Sequence, residues 1–108
     1  MKNQSKKYPF SVQKHAHDIE FRMNRCWNIL RDMEMGDTPW DDAKYDSIDK
    51  LHDKLQSLLD SVMYNGDGRV AWLTGPEIAL AKETVVWAQE TRAATLIANG
   101  KTQYLQYV

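Results

Sequence analysis

The feature that most constrains this fold is the stretch over residues 77–100, EIALAKETVVWAQETRAATLIANG, because it reads as one helix with two apolar sides. A Gly-Pro pair leads into it and an Asn-Gly pair closes it, the turn residues expected at helix ends. Ile78, Ala81, Val85 and Ala88 make one row, and Leu80, Trp87 and Ala94 make another a third of the way round. Ala79, Val86, Ala93 and Ile97 add to the surplus. An ordinary surface helix buries one stripe against one partner. Two apolar sides need two partners, and the alanines let a neighbouring helix axis come close. The expectation is a homo-oligomer in which further copies cover what one chain leaves open.

The remaining helices follow from spacing. Val12, Ala16, Ile19, Met23, Cys26, Leu30 and Met33 step by four and three, which is one helical face. Pro9 just before, Ser11 as cap and Gly36 as stop predict a helix over 11–35, with Trp27 widening its face. A second start comes at once: Asp37 or Thr38 as cap, Pro39 in the first position, then Asp41 and Asp42 in the first turn, where carboxylates complement the helix dipole. Ile48, Leu51, Leu55, Leu58 and Val62 repeat the step until YNGDG breaks it. Residues 65–75, NGDGRVAWLTG, allow a short strand but read better as a loop pinned by Trp72. Thr74 or Gly75, Pro76 and Glu77 then open the third helix. The fold class expected is all-α: an antiparallel helical hairpin over about 38–99 with a long first helix packed across it. Residues 1–10 form an arm, 11–100 a single domain, and 101–108 a tail that adds a strand or reaches a neighbouring subunit.

Composition narrows the function classes. In 108 residues, 14 Lys and Arg face 15 Asp and Glu. That balance argues against a duplex-DNA binder, which needs a basic excess. Cys26 is the one cysteine, which excludes an intrachain disulfide and a thiolate zinc site and suits a reducing cytosol. The opening MKNQSKKYPF lacks the apolar segment of a secretory signal, and no run nears the ~20 apolar residues of a membrane span. The expected location is the cytosol.

Catalytic and metal constellations are thin. His15 and His17 point to different sides of a helix, so they do not share a metal easily. Asp41-Asp42 reads as a helix-start cluster rather than a proton-transfer pair. NGDGR has two glycines and Arg69 but lacks the Lys-Ser/Thr ending of a P-loop, so a plain turn is preferred. Cys26 falls on the apolar row and reads as a buried thiol. The expectation is no enzyme, no metal and no cofactor. Binding chemistry is easier to assemble from four Trp and five Tyr. Trp40, with Lys44 one turn on and Tyr45 beyond, is a minimal nucleotide grip, ring on ring and ammonium on phosphate. The same residues also suit a hydrophobic staple beside a core tyrosine.

The segment KYDSIDKLHDKLQSLL, then a turn, then PEIALAKETVVWAQE, resembles the helical hairpin domain of phage anti-CBASS cyclic-oligonucleotide sponge proteins, a hairpin shared with anti-Thoeris sponges. Lys44-Tyr45-Asp46-Ser47-Ile48 stands for the family's Arg-Tyr-acid-x-Ile opening. Glu83, Val85, Val86, Trp87, Ala88 and Gln89 stand for its Trp-Ala-Asn signature. The match covers about 39–91. The chain departs from the pattern at Asp49 and Asp53, in a longer connection between the two helices, and in its whole first helix. The resemblance implies an all-helical homo-oligomer that sequesters cyclic di- or trinucleotide signals without cutting a bond. Tyr45 and Trp40 would stack, Lys44 and Lys54 would hold phosphate, and Arg92 or Arg69 would serve a second pocket, with Trp87 a core anchor. The alternative is a protein-binding module that covers a host protein, for which Met23, Trp27, Met33 and Met35 on the first helix suit a partner's groove.

Overall fold

The computed structural model describes residues 6–11, 15–64 and 69–108. In chain order they form strand β1 (Lys7–Ser11), helix α1 (Ala16–Glu34), helix α2 (Asp42–Tyr64), strand β2 (Val70–Thr74), helix α3 (Gly75–Ala98) and a 3-10 helix (Thr102–Tyr107). No described helix is long and apolar enough to cross a membrane. The chain is mostly helical, with one small antiparallel sheet of β1 and β2.

That sheet corrects two expectations. The arm contains a strand, and the connection before α3 is a strand rather than a loop pinned by Trp72. Successive residues of a strand face opposite sides. Ala71 and Leu73 are fully buried while Trp72 between them is 52 % exposed. Across the pair, Phe10 lies opposite Ala71 and packs on the core, and Pro9 lies opposite Trp72. The first helix therefore starts later than Ser11, which ends β1; Val12 lies outside the described residues, as do four of the five residues of NGDGR. The tail is a 3-10 helix lying against α3 rather than an added strand.

The core is one cluster drawn from every layer: Ile19 and Cys26 of α1, Leu55, Leu58, Leu59 and Val62 of α2, Ala71 and Leu73 of β2, and Ala81 of α3. Burial pushes the Cys26 thiol above its ordinary pKa, against a smaller opposing pull from Arg22, so it stays protonated. Helix α1 packs on both α2 and α3, most extensively on α2, while α2 and α3 touch over a short stretch. The expected α2–α3 hairpin is thus the slightest of the three helix pairs, because β2 and α1 occupy the space between. On α3 the inward row is Ala81, Thr84 and Ala88. Thr84 is fully buried, and its hydroxyl accepts a hydrogen bond from Arg22 Nη1 at 3.1 Å, which satisfies it. Ile78, Val85, Leu80 and Trp87 are half-buried; Ala79, Val86, Ala94 and Ile97 stay exposed.

Caps set the helix limits. Asp41, not Asp37 or Thr38, caps α2, its carboxylate accepting from the Lys44 backbone N–H at 3.0 Å. Thr74 caps α3 in a reciprocal box: its hydroxyl accepts from the Glu77 N–H at 3.4 Å, and its own N–H donates to the Glu77 carboxylate at 2.9 Å. Thr74→Ala is expected to cost about 1 kcal/mol. Burial would raise the Glu77 pKa, but hydrogen bonds from Ser61 and Thr74, helped by Lys7, outweigh it and hold the group below its ordinary value of 4.5. A depressed carboxylate contributes stability above its unfolded pKa, and that contribution disappears as pH falls through the folded one. Urea titrations between about pH 6 and pH 3 are expected to show Glu77→Gln weaker than the wild type at the upper limit and level with it at the lower.

Candidate functional site

The residues proposed from sequence fall in separate places. Trp40 precedes α2 and Tyr45 sits in its first turn, and their rings stack on each other with centroids 4.7 Å apart at 24°. The Trp40 indole N–H donates to Asp42, and the Tyr45 hydroxyl donates to Glu34 at the end of α1. That hydrogen bond, with some burial and the charges of Glu34 and Asp49, raises the Tyr45 pKa above its ordinary value. The two rings stack on each other, and the cavity beside Tyr45 mixes the carboxylates of Glu34, Asp49 and Asp53 with Arg31 and His52. Lys44 is exposed beside them and brings one positive charge against Glu34, Asp41 and Asp42.

Lys54 lies in the middle of α2, between an apolar cleft toward Leu80 and a polar one toward Arg22. Arg69 is exposed just before β2. Arg92, in the second half of α3, donates to the buried Asp18 of α1. Tyr45, Lys54 and Arg92 line different cavities, so the six are not gathered into one site within a single chain.

The arrangement with the clearest binding chemistry lies around Arg92. Phe21 and Arg25, one turn apart on α1, face Arg92, Thr95 and Leu96 of α3 across a cleft of about 560 Å³. Tyr104 and Tyr107 close its third side from the 3-10 helix. The turn that brings them there is explicit in the backbone. Gly100 takes φ 70°, a left-handed conformation that suits glycine. Its N–H bonds the Ile97 carbonyl at 3.1 Å, and the Lys101 N–H bonds that of Leu96 at 2.8 Å. The chain folds back over α3, and the three-residue repeat of a 3-10 helix puts Tyr104 and Tyr107 on the same side.

Two guanidiniums flank the Phe21 ring, Arg92 at 5.5 Å and Arg25 at 5.9 Å from its centroid. Phe21 in turn leans on Trp87, 5.0 Å away, and Arg22 lies 5.6 Å from the Trp87 ring. The surface is thus an aromatic floor with a cationic rim. None of the lining residues is His, Cys, Asp or Glu. The cleft suits binding. Of its residues, sequence reasoning named Arg92 alone. The signals for the rest were the one-turn spacing of Phe21 and Arg25 and the three-residue spacing of the tyrosines in YLQY.

Among the described residues, no three or more His, Cys, Asp and Glu side chains are grouped to hold a metal. No protein-family model, curated protein or solved structure matches the chain.

Proposed function

We propose that the protein is a non-catalytic binding protein that sequesters a ring-bearing anionic ligand in the Phe21–Arg25–Arg92–Tyr104 cleft. The ligand class the sequence resemblance names is the cyclic di- and trinucleotides. One observation carries the proposal: aromatic side chains and two guanidiniums, of which Asp18 holds only that of Arg92, converge on one cleft. Bases stack on such rings for about 1–3 kcal/mol each, and guanidinium forks match phosphate oxygens. Calorimetric titration with cyclic di- and trinucleotides at moderate salt is expected to show saturable binding that Phe21→Ala weakens about tenfold or more, equivalent to about 1.4 kcal/mol. Silence across the panel from a folded protein removes this reading.

The exposed side of α3 supports assembly of copies. Val86 and Ile97 are 52 % and 58 % exposed there, with Ala79 beside them. Two α3 helices laid antiparallel about Val86 place Ala79 against Ala93 and Lys82 against Glu90, an isologous arrangement that pairs small residues and opposite charges. The same titrated sample then has a native mass above the 12.6 kDa of one chain.

The alternative, an inhibitor that covers a host protein, draws on the exposed Trp27, Met35 and Trp40 near the α1–α2 turn. Met33 is buried and Met23 half-buried, so two of the three methionines of that pattern are used in packing. A stoichiometric protein captured from host lysate, with no co-purifying nucleotide, favours the inhibitor.

A further inference from the structure

We infer that the cleft recognises its ligand as an aromatic ring carrying one anionic group, and that it does not read the ring's hydrogen-bonding edge. This rests on the binding site proposed above and specifies what that site selects.

The first ground is how the polar groups around the cleft are already used. The Thr95 hydroxyl donates to the Thr91 carbonyl at 3.0 Å, a bond within its own helix. The Arg92 guanidinium donates to Asp18, a carboxylate only 6 % exposed. No Asn, Gln, Asp, Glu or Ser lines the cleft. Those are side chains that, with arginine, tell one base edge from another through paired donors and acceptors. What remains is ring and methyl surface, Phe21, Leu96, Val108 and the two tyrosines, whose hydroxyls both donate and accept and so pair with either kind of edge atom. Stacking on such surface tolerates any heterocycle, since every base has a π-face.

The second ground is charge. Asp18 neutralises Arg92, whereas Arg25 has the Phe21 ring as its neighbour and no carboxylate partner among the described residues. One guanidinium is therefore left to meet an anion, and a phosphate or carboxylate attached to the stacked ring supplies it. A second anionic group gains little, because Arg92 would have to release a buried carboxylate to reach it.

The test is calorimetry of the intact chain with 1-naphthyl phosphate, adenosine monophosphate, guanosine monophosphate, adenosine and cyclohexyl phosphate. The two nucleotides are expected to bind within about threefold of each other and 1-naphthyl phosphate comparably, while adenosine and cyclohexyl phosphate fall about tenfold or more behind. Tyr104→Phe leaves these affinities within about twofold, whereas Tyr104→Ala weakens them about fivefold or more, separating the ring from its hydroxyl. Arg25→Ala removes the advantage of 1-naphthyl phosphate over an uncharged ring, and Arg25→Lys restores part of it. A preference of more than about tenfold between the two nucleotides overturns the inference, as does a large loss in Tyr104→Phe. Binding of the simple phosphates with silence from the cyclic nucleotides supports it and sinks the sponge reading. Binding of cyclic nucleotides with silence from 1-naphthyl phosphate does the reverse.

Discussion

Leu55→Ala is expected to lower the stability of the fold by about 3 kcal/mol, the middle of the range for a buried leucine cut back to alanine. Leu55 is wholly inaccessible and lies in the cluster shared by α1, α2, α3 and β2. The loss combines burial no longer gained with a void that surrounding elements cannot all close. In a domain of this size each kcal/mol moves the thermal midpoint by about 4–5 °C, so the midpoint falls by about 12–15 °C. Met63→Ala on the same helix, where the side chain is 65 % exposed, is expected to stay within about 0.5 kcal/mol of the wild type. Thermal unfolding of the two variants side by side measures the contrast. Equal shifts would mean that Leu55 does not sit at the junction of the layers.

The second large effect is asymmetric. Asp18 is buried and holds the guanidinium of Arg92, while His15 Nδ1 lies 3.9 Å from its other oxygen. The Arg92 side chain is 41 % exposed. Removing the arginine strands a carboxylate away from water, whereas removing the carboxylate leaves a cation that can reach water. Arg92→Ala is therefore expected to cost about 2–3 kcal/mol, below the range for a fully buried pair because of that exposure, and Asp18→Ala about 1 kcal/mol. Denaturant unfolding of both variants checks the order. A larger loss from Asp18→Ala would show that the guanidinium, not the carboxylate, depends on the pair for its burial.

Local signals carried the helices well. The three-four steps through Ile19, Cys26, Leu30 and Met33, and through Leu55, Leu58 and Val62, mark buried positions of α1 and α2. Gly36, at φ 78°, turns the chain after α1, and Thr74 with Glu77 starts α3. The sheet was less legible because its strands come from distant parts of the chain. Pro9 reads equally well as the lead into a helix, and its partner Trp72 is beyond the reach of a local pattern. Trp72 misled for a related reason: its bulk suggests an anchor, while alternation gives the interior to the smaller Ala71 and to Leu73. At the candidate site, Trp40, Lys44 and Tyr45 form an attractive grip in one dimension. The fold adds Glu34 from another helix, which takes the Tyr45 hydroxyl, and stacks the two rings on each other. Tyr104 and Phe21 line one cleft only because the turn at Gly100 doubles the chain back, an event their separation does not announce.

Synthesis makes β1 first and β2 only after two helices have been translated, yet the finished ladder pairs Lys7 with Thr74 and Ser11 with Val70. Closing so long a loop carries an entropic cost that the local turns of α1 and α2 avoid. On the ribosome the strand made earliest is accordingly expected to be the last secured, and it stays open to proteases until α2 and β2 have emerged to receive it.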